Sequence, residues 1–148
     1  SMDLYDQWDY MEKTGRWRYT PPTHVVAAFL KALEQFEKDG GLKGRAKRYN
    51  ENLKTLISEM TKIGFKSLLP SSVQTPIIVT FISPSDKKFK FNRFYNRLKK
   101  KGFIIYPGKM AKRDSFRIGC IGYIGKKEMK MLTNEIAKFV KIEKISLN

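Results

Sequence analysis

The feature that most restricts how this chain can fold is a helical pattern of apolar residues between positions 42 and 63. Apolar side chains recur there at alternating spacings of four and three residues, which places them on one face of a helix. Gly64 follows the pattern, and glycine commonly ends a helix. A long helix with one apolar face has to bury that face against other elements. The residues of this stripe are Leu42, Ala46, Tyr49, Leu53, Leu56, Met60 and Ile63.

A second amphipathic helix is predicted before this one, beginning at Thr20 and ending at Gly40 and Gly41. Pro21 and Pro22 fit its first turn, because the amide hydrogens there have no intrahelical partner. The twenty residues before it carry many aromatic side chains without a clean period, so we expect them to pack on a surface outside this chain. The apolar face of the helix is formed by Val25, Phe29, Leu33 and Phe36.

Short β-branched and aromatic runs follow Gly64 and alternate with two further amphipathic helices. The lysines at 99–101 fall in the last turn of the first of these helices, where cations complement the helix dipole. This order of elements predicts an α+β fold, a small and mostly antiparallel sheet covered on one face by helices. The predicted strands are 65–68 at an edge, 76–82 in the centre, 103–106 and 115–121, and the predicted helices are 91–101 and 129–140.

The cysteine and histidine content excludes several kinds of site. With one cysteine, Cys120, and one histidine, His24, the chain forms neither an internal disulfide nor a cysteine- or histidine-based metal cluster. Cys120 lies in an apolar strand, which predicts a buried inert thiol rather than a nucleophile. Glycine-rich phosphate loops and the GxSxG pattern are absent. No apolar run approaches the roughly 20 residues that span a bilayer, so we expect a cytoplasmic protein without a membrane partner.

The charge of the chain leaves one alternative function open. Its 30 lysines and arginines against 14 acidic residues give a net charge of +16, which can attract nucleic acid or phosphorylated ligands. A nucleic-acid-binding module would interleave aromatic side chains with positive charge on an exposed sheet. The aromatic residues of this chain fall mainly on predicted helix core faces, so we expect no nucleic-acid partner.

Two residues are candidates for binding an anion. Arg117 stands inside the predicted strand 115–121, where its planar guanidinium fork is able to bind a carboxylate or phosphate through two hydrogen bonds. The alternatives are that Arg117 points to solvent or pairs with Asp114. The hydroxyl of Thr20 stands at a predicted helix start, where it either caps the helix or grips a phosphate.

Three stretches together resemble a known family. They are LYDQWDYMEKTGRWRYTPPTH, FNRFYNRLKKKGFIIYPGK and SFRIGCIG. They are similar to the C-terminal part of the 2-aminoethylphosphonate–pyruvate transaminases, in the class V branch of the fold-type I pyridoxal-phosphate aminotransferases. The similarity extends from Asp3 to about Val140. Cys120 stands where the family motif has asparagine.

The resemblance implies roles for both anion-binding candidates. The arginine of the FRIG motif, here Arg117, would bind the carboxylate of pyruvate or alanine. The threonine of the YTPPTH motif, here Thr20, would contact the phosphate of pyridoxal 5'-phosphate across a homodimer interface. The reaction would transfer the amino group of 2-aminoethylphosphonate to pyruvate. Another class V aminotransferase, acting on alanine, serine or glyoxylate, remains an alternative.

The family also implies that part of the machinery lies outside this chain. Its catalytic lysine belongs to a large N-terminal domain, so no catalytic residue is assigned here. Residues 1–20 are expected to link to that domain, and residues 21–148 to form the C-terminal small domain. We expect this chain alone to be inactive and to bind no cofactor.

Overall fold

The computed structural model describes residues 2–108 and 113–147. The chain divides into two compact units, residues 1–42 and 43–148. The first unit contains helices α1 (Leu4–Thr14) and α2 (Thr23–Lys38), and helix α3 (Gly41–Ile63) begins at its end. The described part of the second unit holds the rest of α3, a three-stranded sheet and two further helices.

Helix α1 was not predicted, because its aromatic residues have no clean helical period. Its start is nevertheless marked in the sequence by Asp3. The Asp3 carboxylate accepts hydrogen bonds from the backbone N–H groups of Tyr5 and Asp6, at 2.9 and 3.2 Å. This satisfies amide hydrogens that a helix start otherwise leaves unpaired. Gly15, with a φ of 64°, ends the helix in the left-handed conformation that glycine adopts readily.

Helix α2 begins at Thr23 rather than at Thr20, so the predicted start was three residues early. Pro21 and Pro22 precede the helix instead of forming its first turn, and Pro22 is the cap residue. The apolar face predicted for this helix is present and mostly exposed, with Phe36 half-buried. Val25 and Phe29, for example, are 67% and 62% exposed.

Helix α3 (Gly41–Ile63) matches the predicted stripe closely. Leu53, Leu56 and Met60 are buried, whereas Leu42 near the start of the helix is exposed. Gly64 ends the helix at a φ of 112°, and its N–H donates to the carbonyl of Met60 at 3.1 Å. The predicted helix end is therefore confirmed at the residue that the glycine marks.

The sheet consists of β1 (Ile78–Ile82), β2 (Tyr106–Pro107) and β3 (Ser115–Gly119), in the order β1-β3-β2, with both pairs antiparallel. The central strand is therefore β3 and not β1. The predicted edge strand at 65–68 is reduced to one bridge between Ser67 and Phe81. The predicted strand at 103–106 pairs only at its last residue, because β2 is a two-residue edge strand.

The core lies between one face of the sheet and helices α3, α4 (Phe91–Lys100) and α5 (Lys126–Ile142). Alternate residues of β1 and β3 point into this core, while Thr80 and Arg117 between them are only half-buried. Phe116 on β3 contacts the rings of four other phenylalanines, the nearest being Phe94 at 5.2 Å between ring centres. The predicted α+β fold with helices on one face of an antiparallel sheet is confirmed.

Two further observations apply to the described residues. None of their helices is long and apolar enough to cross a membrane. Residues 2–108 and 113–147 contain no group of three or more histidine, cysteine or acidic side chains that is placed to hold a metal ion.

Candidate functional site

Arg117 lies on the sheet face opposite the one that α3, α4 and α5 cover. It stands opposite Thr80 on β1 and opposite Tyr106 on β2, and directly opposed residues of antiparallel strands share one face. The alternation along β3 explains this placement, because Phe116 and Ile118 on either side of Arg117 are buried. The strand therefore turns its arginine away from the core.

The guanidinium of Arg117 is held by the neighbouring strand. Its Nε–H donates a hydrogen bond to the backbone carbonyl of Pro107, with 3.3 Å between nitrogen and oxygen. Within the described ranges no carboxylate pairs with Arg117, so the predicted alternative of an ion pair with Asp114 is not observed. The two Nη atoms keep their donors for another acceptor, and an arginine fork binds carboxylates through such parallel donors.

The segment after β3 is fixed by a residue that the sequence analysis missed. The side-chain amide of Asn52 on α3 donates hydrogen bonds to the carbonyls of Cys120 and Ile124, both at 3.0 Å. Asn52 is fully buried. Its position three residues after Tyr49 and four before Leu56 puts it on the apolar stripe. The Asn52 side chain is a single amide on an otherwise apolar helix face, and this pattern in the sequence indicates a buried hydrogen bond.

Cys120 is the buried, inert thiol that its strand context predicted. Its side chain is fully buried, and burial raises the pKa of the thiol to about 11. A thiol with such a pKa remains protonated at neutral pH, and a protonated thiol is a poor nucleophile. Nucleophilic catalysis by Cys120 is therefore disfavoured.

Thr20 lies in the unit of residues 1–42, three residues before α2 begins. Thr20 does not cap the helix, because the cap position is occupied by Pro22. The side chain of Pro22 makes no hydrogen bond to the helix start. The start of α2 thus has no side-chain cap, and the Thr20 side chain is exposed. The N–H groups of Thr23 and Val26 donate to the carbonyls of Pro21 and Pro22, at 2.9 and 3.0 Å. The N–H groups of the residues between them, together with the helix dipole, suit an anion such as a phosphate, so the residues present fit a phosphorylated cofactor.

Comparison with known proteins identifies a relationship over almost the whole chain. A 2-aminoethylphosphonate–pyruvate transaminase of Pseudomonas putida is 51% identical over 141 residues, which is 95% of this chain and 38% of that protein. The enzyme of the same name from Pseudomonas aeruginosa is 51% identical over 138 residues, or 93% and 37% of the two chains. The chain therefore spans less than two fifths of the length of these relatives. None of the compared family models matches it.

Solved structures agree with this relationship at the level of the fold. An aspartate aminotransferase of subgroup IV from Thermus thermophilus superposes with a TM-score of 0.74 at 18% identity. The match covers 95% of this chain and 38% of the aminotransferase. The resemblance predicted from the sequence motifs is confirmed, and the alternatives are not favoured. The chain is a relative of the 2-aminoethylphosphonate–pyruvate transaminases, and its fold is that of the C-terminal domain of fold-type I aminotransferases.

Proposed function

We propose that this chain is the C-terminal part of a pyridoxal-phosphate-dependent transaminase that transfers the amino group of 2-aminoethylphosphonate to pyruvate, giving phosphonoacetaldehyde and alanine. The observation that carries this proposal is the 51% identity over 141 residues to a transaminase of that name. Residues 1–20 would link to the remainder of the polypeptide, and residues 21–148 would form the small domain.

Arg117 would bind the carboxylate of pyruvate and of the alanine formed from it. Three features support this role: its place on the sheet face opposite these helices of the core, the anchoring of its Nε–H, and the absence of a carboxylate partner within the described residues. A strand that is paired on both sides holds a side chain more rigidly than a loop does. Rigid placement reduces the entropy lost when a small substrate is oriented.

Thr20 and the uncapped start of α2 would hold the phosphate of the cofactor in a homodimer. When bound, pyridoxal 5'-phosphate supplies the electron sink for amino-group transfer. The contribution of this chain would be the Thr20 hydroxyl and the N–H groups at the helix start, which favour a doubly charged phosphate.

The lysine that bonds covalently to the cofactor would lie in the remainder of the polypeptide. Such a lysine needs a desolvated or charge-tuned setting to react as an amine. Every lysine among residues 2–108 and 113–147 is instead exposed. We therefore expect this chain alone to be inactive and to bind no cofactor.

The exposed apolar face of α2 would pack on the remainder of the polypeptide or on the second subunit. Five of its residues are exposed in the described structure, and burial of such a face is favourable. The larger length of the relatives supplies a surface that this chain lacks. These residues are Val25, Val26, Phe29, Leu30 and Leu33.

The test of the proposed reaction uses the complete reading frame that contains this chain. The purified protein is supplied with pyridoxal 5'-phosphate, 2-aminoethylphosphonate and pyruvate, and alanine formation is followed. We expect alanine that disappears when either pyruvate or the amine is omitted. A protein that binds the cofactor but forms no alanine with this amine would contradict the proposed substrate.

The role of Arg117 is tested by Arg117→Ala in the same protein. Loss of two charge-assisted hydrogen bonds is expected to lower kcat/KM for pyruvate on the order of 100-fold. Arg93→Ala is the matched control, since Arg93 is a surface arginine that pairs with Glu143 at 2.9 Å. Unchanged pyruvate kinetics in Arg117→Ala would remove its role in carboxylate binding.

A further inference from the structure

The peptide unit between Pro107 and Gly108 forms hydrogen bonds through both its N–H and its carbonyl group. The N–H of Gly108 donates to the backbone carbonyl of Ser115 on β3 at 2.8 Å. The carbonyl of Pro107, in the same peptide unit, accepts the Nε–H of Arg117 at 3.3 Å. The peptide is trans and therefore planar, so its N–H and C=O point in opposite directions. Rotating this one plane would break both contacts together.

Gly108 is required for this arrangement by its close approach to β3. A Cβ atom added at Gly108 would lie 2.7 Å from both the carbonyl carbon and the carbonyl oxygen of Ser115. Those are backbone atoms of the central strand, which cannot move aside as a flexible side chain can. A side chain at position 108 would therefore displace the peptide that Arg117 contacts.

Pro107 adds stiffness to the same peptide unit. Its ring fixes φ near −65° and restricts the residue before it, Tyr106, to extended conformations. The missing N–H of proline is tolerated because β2 is an edge strand. The segment 106–108 is thus a rigid support placed beside Arg117.

We propose that the Pro107–Gly108 peptide is a positioning element that aims the guanidinium of Arg117 at the substrate carboxylate, and that Gly108 is the residue that makes this possible. The inference rests on the proposed function. With Nε–H occupied by the Pro107 carbonyl, the carboxylate is bound end-on by the two Nη groups. The same bond draws the guanidinium towards β2 and away from Thr80 on the opposite strand.

The first test is Gly108→Ala in the full-length transaminase. We expect KM for pyruvate to rise about 10-fold, because a displaced Arg117 guanidinium loses part of its contact with the carboxylate. KM for the amine donor is measured in the same variant, because its phosphonate is also an anion that an arginine fork binds. Gly125→Ala is the control, because a Cβ there would meet only the Glu128 carboxylate at 3.6 Å. An unchanged KM for pyruvate in folded Gly108→Ala protein would overturn the inference.

A double-mutant cycle separates positioning from general damage. In an Arg117→Lys background the guanidinium Nε–H is absent, so Gly108→Ala should raise KM for pyruvate by less than about 2-fold further. Effects that simply multiply would show that Gly108 acts without Arg117, and would overturn the inference. If Arg117→Lys itself leaves KM for pyruvate unchanged, the proposed role of Arg117 fails. If Arg117→Lys raises KM for pyruvate and Gly108→Ala does not, only the positioning role of Gly108 is contradicted.

Pro107→Ala gives a second route if Gly108→Ala does not fold. It keeps the carbonyl and adds no clash, and it releases the φ restraint. KM for pyruvate should rise about 3-fold, and this rise should vanish in the Arg117→Lys background. A rise that persists in that background, or no rise at all, would contradict the positioning role of this peptide.

Discussion

The side-chain amide of Asn52 lies 3.0 Å from the backbone carbonyl of Cys120, which is 68 residues further along the chain. The same amide reaches the carbonyl of Ile124 at 3.0 Å. One side chain of α3 therefore fixes both ends of the segment 120–124 that follows β3. Since Arg117 lies on that strand, a helix on one side of the sheet stabilises the chain next to the candidate site on the opposite side.

Replacing Asn52 by alanine should destabilise the protein strongly. The substitution removes the donor from a buried carbonyl, that of Cys120, and from a partly buried one, that of Ile124, and it opens a small cavity. We therefore expect a loss of about 2–4 kcal/mol in the free energy of unfolding. Urea denaturation measures this change. Asn50→Ala is the control, because the exposed Asn50 amide contacts only the carbonyl of Ala46 in its own helix. Equal effects of the two substitutions would contradict the stabilising role of the Asn52 hydrogen bonds.

Phe116→Ala should be among the most disruptive core substitutions. The Phe116 ring is fully buried and lies against four other phenylalanine rings. Removing a buried phenylalanine ring costs about 3–5 kcal/mol, through lost burial and the cavity that remains. Tyr123→Ala is the aromatic control, because Tyr123 is 87% exposed and should lose less than about 1 kcal/mol. A thermal or urea unfolding series that ranks Tyr123→Ala above Phe116→Ala would refute the assigned core.

The buried thiol of Cys120 should make stability fall at alkaline pH. Burial raises its pKa from an ordinary value near 9 to about 11, so the folded state keeps a proton that the unfolded chain releases. The stabilisation is complete below the unfolded pKa of about 9 and is lost as pH rises to about 11. The loss should amount to about 2–3 kcal/mol.

Comparison with Cys120→Ala isolates this contribution from other groups that titrate in the same range. The difference in unfolding free energy between the two proteins, measured by urea under reducing conditions, should shrink between pH 8.5 and 11. A difference that stays constant with pH would show that the thiol is accessible to solvent in the folded protein.

The apolar face of α2 should cause this chain to self-associate when it is produced alone. Phe29 at the middle of that face is 62% exposed, and burying it against another surface is favourable. Phe29→Asp should shift light-scattering profiles at high concentration towards the monomer. Gln35→Asp adds the same charge elsewhere on α2 and should leave association unchanged. A wild-type chain that is strictly monomeric at high concentration would count against this surface.

Local sequence pattern was sufficient to predict helices α2 to α5, although not α1, and the helix ends that glycine marks. The stripe of α3 ends at Gly64 as predicted, because helical period and a left-handed glycine are local properties of the chain. Helices α4 and α5 followed from the same periodicity. Three motifs together identified the related family, and the stretch from Leu4 to His24 is the most specific of them. In contrast, the start of α2 was misplaced, because two adjacent prolines suit both a first turn and the extended chain before it.

The central strand, the support of Arg117 and the contacts of Asn52 became known from the folded structure. Strand order depends on pairing between segments far apart in sequence, and a two-residue strand such as β2 has too little pattern to predict. The support of Arg117 by the Pro107 carbonyl arises from strand register, which no local property encodes. Close approach of Gly108 to β3 is likewise a matter of backbone proximity. Contacts of this kind form when distant segments pack. The sequence therefore shows which polar and charged groups are present, but their hydrogen-bond partners depend on the packing.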